Sequence, residues 1–123
     1  MSLVDANVVL RYLLDDHAEL SPQAAKILEH EQVSLPIEVA CEVVYVLQKV
    51  YAVEREVIAQ QLTALITDAV VQMEKPRVFL RALECYSQSR LDFVDCLLWG
   101  RHVEDGQQVF TFDKKLEKLM RED

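Results

Sequence analysis

The spacing of apolar residues along the chain alternates between short continuous runs and segments with an apolar residue at every third or fourth position. The first pattern is typical of buried strands and the second of amphipathic helices. Strands are predicted at residues 2–4, 32–35, 69–73 and 108–112, and helices at residues 8–14, 21–31, 37–52, 54–67, 76–88, 92–102 and 114–121. Alternating strands and helices favour right-handed parallel connections. The order therefore predicts an α/β fold in one domain over residues 1–123, a small three-layer sandwich whose short, mainly parallel central sheet is flanked by helices.

The predicted helix at 37–52 has one narrow polar line on an otherwise apolar surface. Glu38, Glu42, Tyr45 and Lys49 follow one another at helical spacing, and valines cover most of the rest. This pattern predicts a mostly buried helix with Glu42 on its polar line.

A broad apolar stripe marks the helix predicted at 54–67. Its members are Ile58, Leu62, Leu65 and Ile66. The stripe suits a homodimer interface, which we expect, and it equally suits packing within one chain.

Four isolated carboxylates stand at the ends of apolar segments or inside them. Asp5 follows the first strand, Glu42 and Asp95 lie in apolar helical segments, and Asp113 follows the last strand. An acid in apolar surroundings is costly to bury unless a cation meets it. Sites in parallel α/β folds lie beyond the carboxyl ends of strands, where Asp5 and Asp113 fall. Carboxylates without His or Cys ligands fit Mg²⁺ or Mn²⁺ and disfavour a structural zinc site.

The charge balance restricts the classes of partner. Lysine and arginine number 13 against 21 acids, which gives a net charge of −8. This excess argues against a broad basic face that grips nucleic acid, although a bound divalent cation returns positive charge locally. A basic protein partner fits the same acidity.

The composition also bears on the compartment. No apolar run approaches the ~20 residues of a membrane span, and the first residues lack the pattern of a signal peptide. The cysteines are Cys41, Cys85 and Cys96, with no CxxC pair, which predicts thiols in a reducing cytoplasm. We therefore expect a cytoplasmic protein that does not bind a membrane.

Four segments resemble the acid motifs of the PIN-domain family of metal-dependent ribonucleases, and within it the VapC-like toxins of VapBC toxin–antitoxin pairs. The segments are Val4–Leu14, Glu42–Leu47, Leu91–Leu98 and Val109–Lys115. By this resemblance the family's acids fall on Asp5, Glu42, Asp95 and Asp113, and its hydroxyl on Thr111. Asp92 is either a further metal ligand or a helix cap. Cys96 stands where the family usually has Ala.

The resemblance implies an endoribonuclease that uses Mg²⁺ or Mn²⁺ to hydrolyse a single-stranded segment of RNA. Asp5 and Asp95 would hold the main ion, Glu42 and Asp113 would bind it directly or through water, and Thr111 would orient Asp5 or a water molecule. The products would carry 5′-phosphate and 3′-hydroxyl ends. The implied partner is a small antitoxin with a basic segment.

Structural alternatives remain for every site residue. Asp5, Asp92 and Asp113 precede predicted helices and suit N-caps, and Asp95 stands in a first helical turn. Glu42 suits an ion pair with Lys49, and Thr111 suits a plain strand. For the whole chain, the alternative is a catalytically weak or inactive acidic module of PIN-like fold that binds a basic protein. A third class, phosphatase-like phosphotransfer, is disfavoured because Asp5 lacks a second Asp two residues later.

Overall fold

The computed structural model describes residues 1–122, which form two compact units, Met1–Glu74 and a second that begins at Lys75. The first unit contains β1 (Ser2–Leu3), α1 (Ala6–Leu14), α2 (Leu20–His30), β2 (Val33–Ser34), α3 (Ile37–Lys49) and α4 (Arg55–Thr67). The second unit contains α5 (Pro76–Gln88), α6 (Phe93–Asp105) and α7 (Lys114–Arg121). Every predicted helix therefore forms, with ends shifted by at most three residues.

A short parallel sheet organises the first unit. Strands β1 and β2 pair in parallel, with Ser2 opposite Val33 and Leu3 opposite Ser34. Of the strand predicted at residues 2–4, only Val4 is buried. Ser2 and Leu3 are exposed, with Leu3 at 71%. Val4 alone separates the end of β1 from Asp5, so the candidate site begins at the carboxyl end of this strand.

The strand predicted at 69–73 shrinks to a single parallel bridge between Ser34 and Gln72. The reason is the end of α4. Ala69 adopts a left-handed conformation, and the backbone N–H groups of Val70 and Val71 both donate to the carbonyl of Leu65. The N–H groups that a strand would need for pairing are therefore already bonded to a carbonyl at the end of α4.

The strand predicted at 108–112 is wrong for the part of the chain that the structure describes. These residues form no backbone–backbone hydrogen bond there, and a strand exists only through such pairing. The alternating pattern in the sequence survives as alternating exposure, since Phe110 and Phe112 are exposed while Val109 and Thr111 are partly covered.

Helix α3 confirms the pattern of its sequence. Ala40, Val43, Val44 and Leu47 are buried, whereas Glu38, Glu42, Tyr45 and Lys49 are exposed. Helix α1 packs against both α2 and α3. Arg11 links α1 to the segments that follow α1 and α3, since its guanidinium contacts Asp16 Oδ1 at 2.7 Å and donates to the hydroxyl of Tyr51 at 2.8 Å.

The apolar stripe of α4 is covered by the chain itself. Ile58, Leu62 and Leu65 are buried, and Ile66 is partly buried. The stripe therefore serves packing within one chain, and its use as a homodimer interface was wrong.

The second unit is built around α6, which packs against α5 and α7. The ring of Phe93 meets Phe79 and Tyr86 edge to face, with centroid distances of 5.5 and 5.6 Å. Gly100 lets α6 approach α5 closely, because a Cβ atom at this position would lie 2.8 Å from the carbonyl oxygen of Val78. No helix within residues 1–122 has the length and apolar character that crossing a bilayer requires.

Candidate active site

Asp5 caps α1 and leaves part of its carboxylate available. Its Oδ1 accepts a hydrogen bond from the backbone N–H of Val8 at 3.1 Å, so the N-cap interpretation is confirmed. The side chain is exposed. Capping uses one oxygen, and a carboxylate has two, so the cap is compatible with metal binding by the same residue.

Asp5 is the only acid at a largely apolar cleft within the first unit. The cleft has a volume of about 510 Å³ and is lined by Leu3, Val4, Asp5, Val8, Ile27, Pro36 and Val39. Glu42 lies one helical turn beyond Val39 on α3, which packs against the helix that Asp5 caps.

Three further acids belong to the second unit and surround the beginnings of two helices. Asp92 occupies the N-cap position of α6, as predicted. Its side chain is exposed and makes no capping hydrogen bond, so it does not act as a cap. Asp95 lies in the first turn of α6. Asp113 caps α7, with Oδ1 accepting from the backbone N–H of Leu116 at 2.9 Å.

Thr111 positions Asp113 through the backbone. Its hydroxyl oxygen accepts a hydrogen bond from the backbone N–H of Asp113 at 3.0 Å, which is a local turn stabilised by a side chain. The alternative of a plain strand residue is wrong because no strand forms here. The predicted role of Thr111 toward Asp5 or a water molecule stays a prediction.

Among the three candidate acids of the second unit, Asp95 is the one whose pKa is shifted by its surroundings. Partial burial raises the pKa of its carboxyl, and repulsion from Asp113 and then from Asp92 raises it further. Asp113 and Asp92 therefore both lie within electrostatic reach of Asp95. Such a shift by desolvation and like charges is characteristic of functional sites.

No positive side chain relieves this repulsion among the described residues. Neither Asp92, Asp95 nor Asp113 forms an ion pair with a lysine, arginine or histidine of residues 1–122, and the same holds for Asp5 and Glu42. Within either unit, as far as residue 122, no three Asp, Glu, His or Cys side chains lie close enough to hold a metal ion by themselves. The donor set consists of hard carboxylate oxygens, and a divalent cation would offset the charge beside Asp95. The chemistry of these residues therefore fits Mg²⁺ or Mn²⁺.

Substitutions of Asp113 should separate its cap from its charge. Asn accepts the same backbone hydrogen bond, whereas Ala accepts none. Both variants remove the charge that repels Asp95, so we expect Asp113→Ala to have a free energy of unfolding ~1 kcal/mol below that of Asp113→Asn, which is the contribution of the cap. Urea unfolding followed by circular dichroism measures both. Equal losses in the two variants would show that the carboxylate stabilises the protein by something other than the cap of α7.

Sequence reasoning missed one feature of the second unit. Phe110 and Phe112 belong to the segment that was predicted as a strand, yet their side chains are 87% and 100% exposed. Lys114 and Lys115, which follow Asp113, are also exposed.

Comparison with known proteins gives matches over nearly the whole chain. The model of the PIN domain family matches residues 2–122. A protein named VapC ribonuclease from Aquifex aeolicus (strain VF5) is 29% identical over 124 residues, which cover 97% of this chain and 92% of that protein. No solved structure gives a significant match. Since the family model spans both units and all four motifs, the chain belongs to the PIN domain family.

Proposed function

We propose that the protein is an Mg²⁺- or Mn²⁺-dependent endoribonuclease that hydrolyses RNA phosphodiester bonds and acts as the toxin of a VapBC-type pair. The observation that carries this proposal is the half-buried Asp95, whose charged form is disfavoured by burial, by Asp113 and by Asp92 and which has no ion pair to a described cation. Membership of the PIN domain family and the ribonuclease name of the Aquifex aeolicus relative support it.

The ligands in this proposal are Asp5 and Asp95 for the main ion, with Glu42 and Asp113 binding directly or through water and Asp92 as a further acid. A bound divalent ion would lower the pKa of an attacking water and stabilise charge on the leaving oxygen. The protein's part is to hold the carboxylates in place. The caps at Val8 and Leu116 fix the rotamers of Asp5 and Asp113, and Thr111 fixes the backbone of Asp113. Fixed ligands lose little entropy when they bind.

The proposed partner is an antitoxin protein with a basic segment. Support comes from the net charge of −8 and from the five acids proposed as ligands, which would attract such a segment. We also propose that the protein works in the cytoplasm, in keeping with the absence of a disulfide among its three cysteines, all of which lie in the described residues. A homodimer remains a proposal that needs a surface other than the buried stripe of α4.

Metal-dependent cleavage by paired variants of α3 tests the proposed activity. Purified protein should cleave RNA in Mn²⁺ and stop when a chelator is added. Glu42→Gln should lower the cleavage rate by about tenfold or more, the loss expected when a metal site is weakened. Glu38→Gln is the matched control, because Glu38 is an exposed glutamate one turn away on the same line of the helix. Equal rates for both variants and wild type would remove Glu42 from the site.

The alternative function is an acidic module of PIN fold that binds a basic protein without cleaving RNA. The specific observation in its favour is the excess of acids over basic residues, 21 against 13. Binding of a basic peptide together with no cleavage in Mn²⁺ would establish this alternative and overturn the nuclease.

A further inference from the structure

The negative charge of the chain lies entirely in the first unit. Residues 1–74 contain four lysines and arginines against twelve acids, whereas residues 75–123 contain nine of each. The net charge of −8 therefore belongs to the first unit, and the second unit carries no net charge. The excess of acids disfavours a basic face for nucleic acid on the first unit only.

The basic residues of the second unit are concentrated in its last helix. Four of the nine stand among the eight residues of α7, namely Lys114, Lys115, Lys118 and Arg121. Lys114, Lys118 and Arg121 follow one another at steps of four and three residues, which places them along one line of the helix, the α7 basic line. Leu116 lies on the opposite side and is fully buried, in keeping with the packing of α7 against α6. The α7 basic line therefore points away from the core of its own unit.

The α7 basic line has little negative charge to meet among residues 1–122. Lys114 and Lys118 are exposed and form no ion pair with an acid of that range. Arg121 contacts Glu117 of the same helix at 3.3 Å, and 68% of its side chain is still exposed. A cation is costly to bury unless a carboxylate meets it. The line is therefore compatible with solvent or with a negatively charged ligand, but not with burial under uncharged protein.

The place of the α7 basic line in the chain favours RNA phosphates as that ligand. Lys114 directly follows Asp113, whose carboxylate caps α7 and is a proposed metal ligand. At 1.5 Å per residue the line extends ~10 Å from there to Arg121. An RNA strand that is cleaved beside Asp113 can therefore lay its neighbouring phosphates along α7. Lysine binds phosphate as a point charge and arginine binds it through paired hydrogen bonds.

We propose that Lys114, Lys118 and Arg121 form a phosphate-binding line that holds the backbone of the RNA substrate next to Asp113. This inference rests on the proposed nuclease function and assigns the grip on the substrate to the second unit, although the chain as a whole is acidic. The line contacts phosphates that are not cleaved. It therefore contributes to binding and positioning of the RNA and not to the chemical step.

The salt dependence of RNA binding tests the α7 basic line. The probe is a fluorescein-labelled oligouridine, measured by anisotropy in Ca²⁺ over a series of NaCl concentrations and checked intact afterwards. Each phosphate contact of a single strand contributes about −0.7 to the slope of log K against log salt concentration. Lys118→Gln should therefore flatten the slope by about 0.7 and weaken binding by about fivefold at ~0.1 M salt. Lys118→Arg, which keeps the charge, should bind like wild type.

A control and a combined variant complete the series. Lys26→Gln removes the same charge from an exposed lysine of the first unit and should keep the slope and the affinity of wild type. The combination of Lys114→Gln, Lys118→Gln and Arg121→Gln should flatten the slope by about 2. It should keep the helical circular dichroism of wild type, because the three side chains lie opposite the buried Leu116.

Unchanged RNA binding by the combined variant would overturn the α7 basic line. Light scattering and thermal melts would then show what the cations meet. A molecular mass below that of wild type would mean that they join copies of the chain through acidic surfaces. A melting temperature below that of wild type would mean that they meet acids of their own chain.

Steady-state cleavage in Mn²⁺ separates the α7 basic line from the nuclease. Lys118→Gln should raise KM by about fivefold and leave kcat unchanged, since it removes binding that substrate and transition state share. A flattened slope for Lys118→Gln without any cleavage by wild type would remove the nuclease and keep the line. Cleavage by the combined variant with the KM of wild type would remove the line and keep the nuclease.

Discussion

Asp95→Asn is expected to lower RNA cleavage by about a hundredfold or more, while it raises the melting temperature of the metal-free protein. The loss of cleavage follows from removing a proposed ligand of the main ion. The gain in stability follows from the raised pKa of Asp95, because burial, Asp113 and Asp92 all disfavour its charged form in the folded protein. A neutral amide of the same shape avoids that penalty.

The pH dependence of the stability difference has a definite sign. The pKa of Asp95 is raised above its ordinary value of 3.8, so the folded state holds this proton more tightly than the unfolded state does. Stability from this group is fully present below the ordinary value and is lost as the pH rises through the raised value. The advantage of Asp95→Asn over wild type should therefore be absent in acid, grow as the pH rises through the raised pKa, and be complete at neutral pH.

Thermal melts in chelator and in Mn²⁺ measure both effects of this substitution. In chelator at neutral pH the variant should melt a few degrees above wild type, since ~1 kcal/mol moves the melting temperature of a domain of this size by roughly 4 °C. In Mn²⁺ wild type should gain stability through binding to the native state, and the variant should gain much less. Glu84→Gln, an exposed acid of the same unit, removes the same charge and should show neither effect. A variant of Asp95 that melts below wild type in chelator would contradict the repulsion.

The helices of this fold are predictable from the sequence because each carries its own information. In α3, the valines and the line from Glu38 to Lys49 repeat at the helical period, and burial follows that period residue by residue. The strands depend instead on partners that are distant in sequence. The residues around Val70 have strand composition, but the carbonyl of Leu65 claims their N–H groups for the end of α4. Local patterns cannot anticipate that competition.

The candidate site was likewise predictable from the sequence only in part. The capping roles of Asp5 and Asp113 follow from an acid placed before a helix, and the structure confirms both hydrogen bonds. The burial of Asp95 and its repulsion from Asp113 depend on how α6 and α7 pack, so only a structure reveals them. The exposure of Phe110 and Phe112 was hidden by their strand-like alternation, since alternation fixes which residues share a side but not what covers that side.

The position of Asp95 in turn depends on an aromatic anchor two residues before it. Phe93 is the first residue of α6 and is 6% exposed, and its ring meets Phe79 and Tyr86 edge to face. Such pairs contribute beyond the area that they bury. The anchor therefore holds the beginning of the helix against α5, and the turn that contains Asp95 begins there.

Phe93→Ala should lower the free energy of unfolding by ~3–5 kcal/mol, the usual cost of removing a buried phenylalanine ring. Since domains are commonly stable by only ~5–15 kcal/mol, this single change removes a large part of the total. Phe93→Leu keeps much of the volume and should cost less than half as much. Urea unfolding, monitored by the fluorescence of Trp99 and by circular dichroism, gives the three free energies.

Val94→Ala provides the control for the anchor, because Val94 is the next residue of α6 but is 56% exposed. Its free energy of unfolding should stay within ~0.5 kcal/mol of wild type, as for most surface substitutions. The anchor also predicts a coupling to the site, since a loosened first turn displaces Asp95. The increase in melting temperature that Mn²⁺ gives to Phe93→Ala should therefore be smaller than the increase that it gives to Val94→Ala. A loss below ~1 kcal/mol for Phe93→Ala would mean that Phe79 and Tyr86 close the space left by the ring, and that the position of Asp95 is set by other contacts.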